Sequence, residues 1–266
     1  MYSIIISLIV GAVIGAITQR DLGTGWGIFC AVGAMLISQI VIGLLIRRKV
    51  GKLNLQLQQI MQAAQAKINR QMQQYQMRPP GNMRLAQQNL EKLQSDAVRR
   101  TLEATREFEP WYKWNMMLKK QINTMKMQLH FQLKEFGKVD ELLPKCFLLD
   151  PRSLAIKLVR LYKNNDASID KFYDRKCKKL KGEDAALVAL TYAWIKLRQD
   201  EPQKAVAALV AARKLSDNQT LIENCDRLVN GKYKHFNNAG LGDLWYSLYL
   251  EEPKIKPQRQ VQQRMY

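Results

Sequence analysis

Two long runs of uncharged, mostly apolar residues open the chain. The first covers residues 1–19, and the second covers the 22 residues 25–46. At about 1.5 Å per helical residue the second run reaches roughly 33 Å, enough to cross a hydrocarbon core of about 30 Å. The pattern therefore predicts a hairpin of two transmembrane helices, with spans of about residues 2–19 and 25–46.

Three basic residues, Arg47, Arg48 and Lys49, end the second run. Because basic residues flank membrane spans on the cytoplasmic side, we expect the N-terminus and residues 50–266 to face the cytoplasm. The hairpin with its basic flank forms a first domain over residues 1–49. A cleaved signal peptide is the competing interpretation, but no Lys or Arg precedes the first apolar run.

The first span carries the spacing GxxxG at Gly11 and Gly15. Two helix backbones can approach closely there because neither residue has a side chain. Packing between the two spans is favoured over dimerisation, which stays open as an alternative. No Asp, Glu, Lys, Arg or His lies inside either span, so nothing indicates an ion pathway.

Apolar residues recur at helical spacing beyond the second span. Steps of three and four separate seven of them, namely Leu53, Leu57, Ile60, Ala64, Ile68, Met72 and Tyr75. The spacing predicts a helix that ends at Pro79-Pro80, and a second helix over residues 83–108 that stops at Pro110. Residues 50–110 then form a glutamine-rich basic arm, either a coiled coil leaving the membrane or a helix lying on the next domain.

The charge of the chain makes this arm a candidate for contact with anions. The chain has 42 Lys and Arg against 23 Asp and Glu, and residues 47–130 alone have 16 against 5. Each basic residue near an anionic leaflet contributes on the order of 1 kcal/mol of binding free energy. Membrane lipid is thus a candidate partner, although a solvated charged face fits the same count. Nucleic acid is not favoured, because no aromatic stacking set or known motif accompanies the basic residues.

The spacing of apolar residues becomes regular from Trp111 onward. Steps of three and four continue to Phe136 and predict a long amphipathic helix at the start of a domain over residues 111–252. Trp111 and Trp114 are expected to cap the core of that domain.

Two stretches of this domain share one pattern of small and large residues, displaced by 66 positions. The matched pairs are Val139 and Ala205, Leu143 and Leu209, and Cys146 and Ala212. With Phe136 as the aromatic residue and Asp150-Pro151 as the closing pair, the pattern resembles the tetratricopeptide repeat. A displacement of 66 is close to two units of that family's 34 residues. A middle unit is therefore expected over residues 153–182, although Lys176 and Lys179 depart from the pattern.

This resemblance to the tetratricopeptide superfamily implies a short array of helix pairs that acts as a scaffold for protein–protein interaction. In that family the first helix of each pair lines a concave surface. The residues placed there are Lys157, Arg160, Lys163 and Lys196. They would form a basic strip for an acidic segment of an unidentified protein partner, while ordinary solvated residues explain them equally well. A short apolar helix with Leu244, Trp245, Leu248 and Tyr249 is expected to cap the array, and residues 253–266 are expected to form a disordered basic tail.

Few residues in the chain suit catalysis. The two histidines, His130 and His235, have no partner at ligand spacing, and no nucleotide-binding loop is present. Glu251-Glu252 is interpreted as a solvated helix end. The four cysteines form no CxxC pair and are interpreted as reduced packing residues. We expect no catalytic residues, no metal and no cofactor, and hence no enzyme.

The sequence as a whole predicts an all-α membrane protein, with a two-helix transmembrane hairpin, a basic helical arm and a short array of helix pairs. The predicted function is that of a cytoplasmic-facing scaffold. The alternative is a structural protein that binds anionic lipid, or self-associates as a homo-oligomer, through its basic arm. The order of anchor and repeats is similar to that of bacterial inner-membrane proteins of the HemY type, so we expect the bacterial inner membrane as its location.

Overall fold

The computed structural model describes residues 2–253, which contain α-helices and no strand. The α-helices of this range are α1 (Tyr2–Leu22), α2 (Thr24–Met77), α3 (Met83–Ala104), α4 (Met116–Gln132), α5 (Phe136–Leu142), α6 (Pro151–Lys163), α7 (Ile169–Phe172), α8 (Gly182–Arg198), α9 (Pro202–Arg213), α10 (Gln219–Val229) and α11 (Asp243–Tyr246). The all-α class is thereby confirmed for this range. Apart from Pro253, the expected basic tail lies outside it.

The chain divides into two compact units, Met1–Phe147 and Leu148–Tyr266. The first unit contains α1 to α5, and the second contains α6 to α11. The helix expected at the start of the repeat-like domain thus lies in the first unit.

Helices α1 and α2 form a hairpin joined by Gly23 alone. Gly23 has φ 87°, a left-handed backbone conformation that glycine adopts without a steric cost. The expected connection of several residues is therefore shorter in the structure, because α1 extends through Arg20 and Asp21.

Helix α2 continues without a break from Thr24 to Met77, 54 residues that reach roughly 80 Å. We expected a transmembrane span and a separate arm helix, but no proline lies between Ile46 and Arg78 to interrupt the backbone hydrogen bonds. Helix α2 ends just before Pro79-Pro80, as expected.

Helix α3 follows the proline turn and packs against α2. Its N-cap is Asn82, whose side chain accepts a hydrogen bond from the backbone N–H of Leu85 at 3.1 Å. Beyond α3, a 3₁₀ segment (Thr105–Trp111) contains Pro110. Buried side chains from α2, this segment and α4 form one core cluster of the first unit, namely Leu57, Phe108, Leu118 and Ile122.

Helix α4 begins at Met116, five residues later than the apolar spacing predicted. Asn115 is its N-cap and accepts hydrogen bonds from the backbone N–H groups of Met117 and Leu118 at 2.9 and 3.3 Å. Trp111 packs beside the core of the first unit, whereas the ring of Trp114 meets the ring of Tyr2 at a centroid distance of 5.7 Å.

The first helix of the second unit is α6, and the pair Asp150-Pro151 lies at its N-terminus. Asp150 accepts a hydrogen bond from the backbone N–H of Ser153 at 2.8 Å, and Pro151 occupies the first helical turn. The second helix expected for the middle unit is reduced to α7, of four residues, and one π turn (Tyr173–Cys177). Lys176 and Lys179, the residues that depart from the repeat pattern, lie in or just after this turn and are exposed.

Helices α8, α9 and α10 enclose one core cluster of the second unit. The matched residues Ala205 and Ala212 of α9 are buried there, Leu209 between them is fully buried, and Ala193 of α8 belongs to the same cluster. Helix α10 adds Leu221, Cys225 and Leu228 to the same core. It ends at Val229 before Gly231, which has φ 70°.

The last described segment packs an aromatic side chain against α8. Trp245 and Leu248 are buried, and the ring of Trp245 lies 6.0 Å from that of Trp194. Glu251 accepts hydrogen bonds from both indole N–H groups, at 2.7 Å from Trp194 and 3.0 Å from Trp245. The interpretation of Glu251 as a solvated helix end was wrong, because two indole donors 57 and 6 residues away converge on its carboxylate.

Candidate functional site

The hairpin of α1 and α2 is held together by close backbone contact. A Cβ added at Gly11 would lie 2.9 Å from the carbonyl oxygen of Ala31, and one added at Gly15 would lie 2.7 Å from the Cβ of Ala31. On α2, a Cβ at Gly27 would lie 2.8 Å from the Cβ of Gln19. The GxxxG spacing therefore packs the two helices of this chain against each other.

Most of the remaining surface of this hairpin is exposed and apolar. Helices α1 and α2 are both long and apolar enough to cross a membrane, and none of the most apolar window of α2 is buried in the protein. Side chains such as Ile28 and Phe29 expose more than half of their surface. Apolar patches of this size on a folded protein indicate contact with lipid or with another protein.

The basic cluster Arg47, Arg48 and Lys49 lies inside α2, directly after its apolar part, and all three side chains are exposed. Because the helix is continuous, the cluster occupies about one turn between an apolar stretch and a glutamine-rich stretch of the same rod. The arrangement is the one expected for residues at the surface of a membrane.

The structure separates the four residues of the expected basic strip into two groups. Lys157 and Arg160 are half-buried on α6 and Lys163 is exposed at its end, where the guanidinium of Arg160 donates to Asn164 at 3.2 Å. Lys196, in contrast, has a side chain that is only 5 % exposed. It therefore does not share the open surface of the other three.

Lys196 is neutralised inside its own unit. Its ammonium group lies 2.5 Å from Asp170 and 2.9 Å from Glu201, and Lys204 pairs with the same two carboxylates at 2.6 and 2.9 Å. Burial raises the pKa of Asp170, but hydrogen bonds from Lys196 and Lys204 outweigh burial and hold that pKa below its usual value. Lys196 thus serves this ion-pair cluster and is unsuited to binding an acidic partner.

Two aromatic rings lie next to Lys163, that of the half-buried Tyr162 and that of the buried Trp194. The rings of Tyr162 and Trp194 meet edge to face at 5.8 Å, Lys163 lies 5.9 Å from the ring centroid of Tyr162, and Arg198 lies 5.1 Å from that of Trp194. The ends of α6 and α8 therefore place Lys163 and Arg198 beside the two rings, and Arg160 lies about one helical turn before Lys163. We call these five residues the basic–aromatic patch. Sequence reasoning missed Arg198, although it follows Lys196 by two residues on the same helix.

A second group of cations surrounds Glu135 in the first unit. Its carboxylate lies 2.7 Å from Nδ1 of His130, 3.0 Å from Lys138 and 3.6 Å from Arg99. The hydrogen bond from Lys138 lowers the pKa of Glu135, and the contact with His130 lowers it further against the opposing effect of burial. His130 therefore has a carboxylate partner that its position in the sequence did not reveal.

The described residues include no cluster of metal ligands, and at least one of the four cysteines is an unreactive thiol. No group of three or more His, Cys, Asp and Glu residues in residues 2–253 could hold a metal ion. The four cysteines form no disulfide, and burial raises the pKa of Cys177 to about 12. A thiol with such a pKa stays protonated at neutral pH and is a poor nucleophile.

No family model matches the chain. No curated protein and no solved structure matches it either. The two surfaces described above, the exposed apolar hairpin of the first unit and the basic–aromatic patch of the second, therefore carry the functional argument.

Proposed function

We propose that this protein is a membrane-anchored scaffold, whose first unit holds it in a lipid bilayer and whose second unit binds an acidic segment of a protein partner. The exposed apolar surface of α1 and α2, ended by Arg47, Arg48 and Lys49, supports the anchoring. The paired helices of the second unit, with small residues buried between α8 and α9, suit a tetratricopeptide-like scaffold facing the cytoplasm of a bacterium.

The basic–aromatic patch is the observation that carries the docking half of this proposal. Lys163 and Arg198 lie beside the rings of Tyr162 and Trp194, and aromatic and arginine side chains are enriched at the energetic centres of protein interfaces. Carboxylates of an incoming segment would pair with the cations, and its apolar groups would cover the exposed part of Tyr162. Attraction between the opposite charges of the two proteins would also accelerate their association.

Fractionation of cells that produce the full-length protein tests the anchoring. We expect the protein in the membrane pellet after a wash at high salt and alkaline pH, because such a wash removes proteins held by charge alone. Recovery of the intact protein in the supernatant would refute the anchor.

A pair of double variants tests the docking. We expect the full-length protein in detergent to bind a labelled peptide of consecutive glutamates, and the double variant Lys163→Glu and Arg198→Glu to bind it at least about tenfold more weakly. The matched control is Lys232→Glu with Lys234→Glu, which makes the same change in net charge at exposed positions of the same unit. Equal losses in both variants would show that net charge, and not the patch, attracts the peptide.

A further inference from the structure

A cleft of about 500 Å³ lies in the first unit, beside the end of its second apolar run. Three segments line it, namely the start of α1, one stretch of α2 within residues 39–54, and residues 114–121 around the start of α4. Helix α1 lies antiparallel to α2, because Gly11 is close to Ala31 and Met35 while Gly15 is close to Gly27. This register brings Ser3 to the level of Gly43, so the cleft lies where the apolar run ends at Arg47.

The lining of the cleft combines an apolar floor with polar groups suited to an anion. Ile46, Val50, Trp114 and Leu118 supply the apolar part. Arg47, Asn54 and Gln121 supply a guanidinium and two amides. In the described part of the chain, these three side chains form no hydrogen bond or ion pair. Their donors are thus available to a bound molecule.

The wall formed by α1 and residues 113–115 is fixed by bonds within the protein. The backbone N–H of Tyr2 donates to the carbonyl of Lys113 at 3.2 Å, and the hydroxyl of Ser3 donates to the carbonyl of Trp114 at 3.4 Å. Asn115 is engaged as the N-cap of α4. A ligand would therefore enter a largely preformed site and would not have to order this wall.

The lining of the cleft, as described, contains one charged side chain, the cation Arg47, and no Asp or Glu. Further basic residues follow Arg47 closely along α2, namely Arg48, Lys49 and Lys52. A site with this surplus attracts an anion.

We propose that the cleft binds the headgroup of an anionic glycerophospholipid, with its phosphate against Arg47 and its polar headgroup against Asn54 and Gln121. Guanidinium groups bind phosphate oxygens with paired, charge-assisted hydrogen bonds. Next to the cleft on α2, Ile40 and Leu44 are 62 % and 51 % exposed, and they offer an apolar surface to the acyl chains. This apolar flank favours a lipid over a soluble phosphate. The proposal rests on the membrane anchoring proposed above.

The chain offers two test variants with matched controls. A Cβ at Gly43 meets no atom within 4 Å, so Gly43→Leu adds a side chain in open space at the lining and occupies part of the cleft. Gly33 on the same helix is equally open but does not line the cleft, and Gly33→Leu is therefore its control. Arg47→Gln removes the guanidinium, while Arg48→Gln removes the neighbouring charge, which lies outside the lining.

Native mass spectrometry of the full-length protein, released from detergent supplied with phosphatidylglycerol, measures the binding. We expect the unmodified protein and both controls to retain one lipid molecule, and Arg47→Gln and Gly43→Leu to bind it about tenfold more weakly. Equal retention by all five proteins would overturn the proposal.

Two further experiments distinguish a bound lipid from a bound soluble phosphate, and failure of the lipid site from failure of the membrane anchor. Excess inorganic phosphate should leave the lipid bound, and displacement of the lipid by phosphate would overturn a lipid as the occupant. Fractionation of the same variants should place all of them in the membrane pellet. If the variants are in the pellet but bind lipid as the unmodified protein does, the proposed lipid site is refuted and the anchoring is not. If the protein is in the supernatant, the anchoring on which the lipid site depends is refuted.

Discussion

Helices α2 and α8 show that the two units are stabilised in different ways. Of the 54 residues of α2, three are buried (Gly27, Ile46 and Leu57), whereas twelve of the 17 residues of α8 are buried. Helix α8 is surrounded by its own unit, so its side chains fill a closed core. Helix α2 exposes apolar groups along one part and glutamines along the other, and within the first unit it is packed mainly by α1 and α3.

Shortening a leucine should destabilise the protein strongly in α8 and hardly at all in α2, and this is the largest effect we expect. Leu190 on α8 is fully buried, and Leu190→Ala should lower the free energy of unfolding by about 2–5 kcal/mol. Leu44→Ala on α2 removes the same atoms from an exposed position and should change it by less than about 0.5 kcal/mol. Urea unfolding of the full-length protein in detergent, followed by circular dichroism, measures both values. A similar loss in both variants would contradict the contrast.

Within the second unit, a buried and an exposed lysine should likewise differ in their contribution to stability. Lys196→Met leaves Asp170 and Glu201 without their buried cation and should cost about 1–3 kcal/mol of the free energy of unfolding. Lys204→Met removes a cation with a 48 % exposed side chain from the same carboxylates and should cost less than about 1 kcal/mol. The same urea titration compares the two, and a larger loss for Lys204→Met would show that Lys196 does not hold the cluster together.

Part of this architecture could be predicted from the sequence because the pattern there is local. Apolar runs and steps of three and four gave the helices, and Pro79-Pro80 gave the end of α2. The continuity of α2 was missed because a change of composition at Arg47 resembles a boundary, although nothing there interrupts the backbone bonds. The start of α4 was misplaced because Trp111 and Trp114 continue the helical spacing while Asn115 caps the helix.

The candidate sites were harder to predict because they depend on contacts between distant residues. Lys196 has the sequence surroundings of an exposed lysine, and its pairing with Asp170, 26 positions away, exists only in the folded chain. The contact of Arg198 with Trp194 could have been suspected from their spacing of four on one helix. The lipid cleft joins residues 3, 47 and 121 and has no signal in the sequence.

Replacing alanine by leucine should change the free energy of unfolding in opposite directions in the two units. Ala205 is fully buried in the core of the second unit, so Ala205→Leu should destabilise it by about 1–3 kcal/mol through overpacking. Ala97 instead lines an open groove of about 300 Å³ between α2 and α3, beside Ala63 and Ala64. Ala97→Leu should fill part of this groove and stabilise the helix pair by about 0.5–1 kcal/mol. Hydrogen exchange of the amides in each unit reports both effects, and slower exchange in the Ala205 variant would contradict the tight core.

The smallest expected effect is the pH dependence that the ion-pair cluster gives to the second unit. Because the pKa of Asp170 in the folded protein is held below that of the unfolded chain, near 3.9, the unfolded chain binds more protons as the pH falls through this range. The stabilising contribution of Asp170 is therefore complete above about pH 4 and is lost as the pH falls through the folded pKa. Unfolding in urea at pH 5 and at pH 3 should show a smaller difference for Asp170→Asn than for the unmodified protein.

The pKa of Asp166 is also lowered, first by a hydrogen bond from the backbone of Ser168, but this carboxylate has no buried cation. Asp166→Asn therefore serves as the control, and an equal change in both variants would show that the acid sensitivity arises from local hydrogen bonds and not from the buried Lys196.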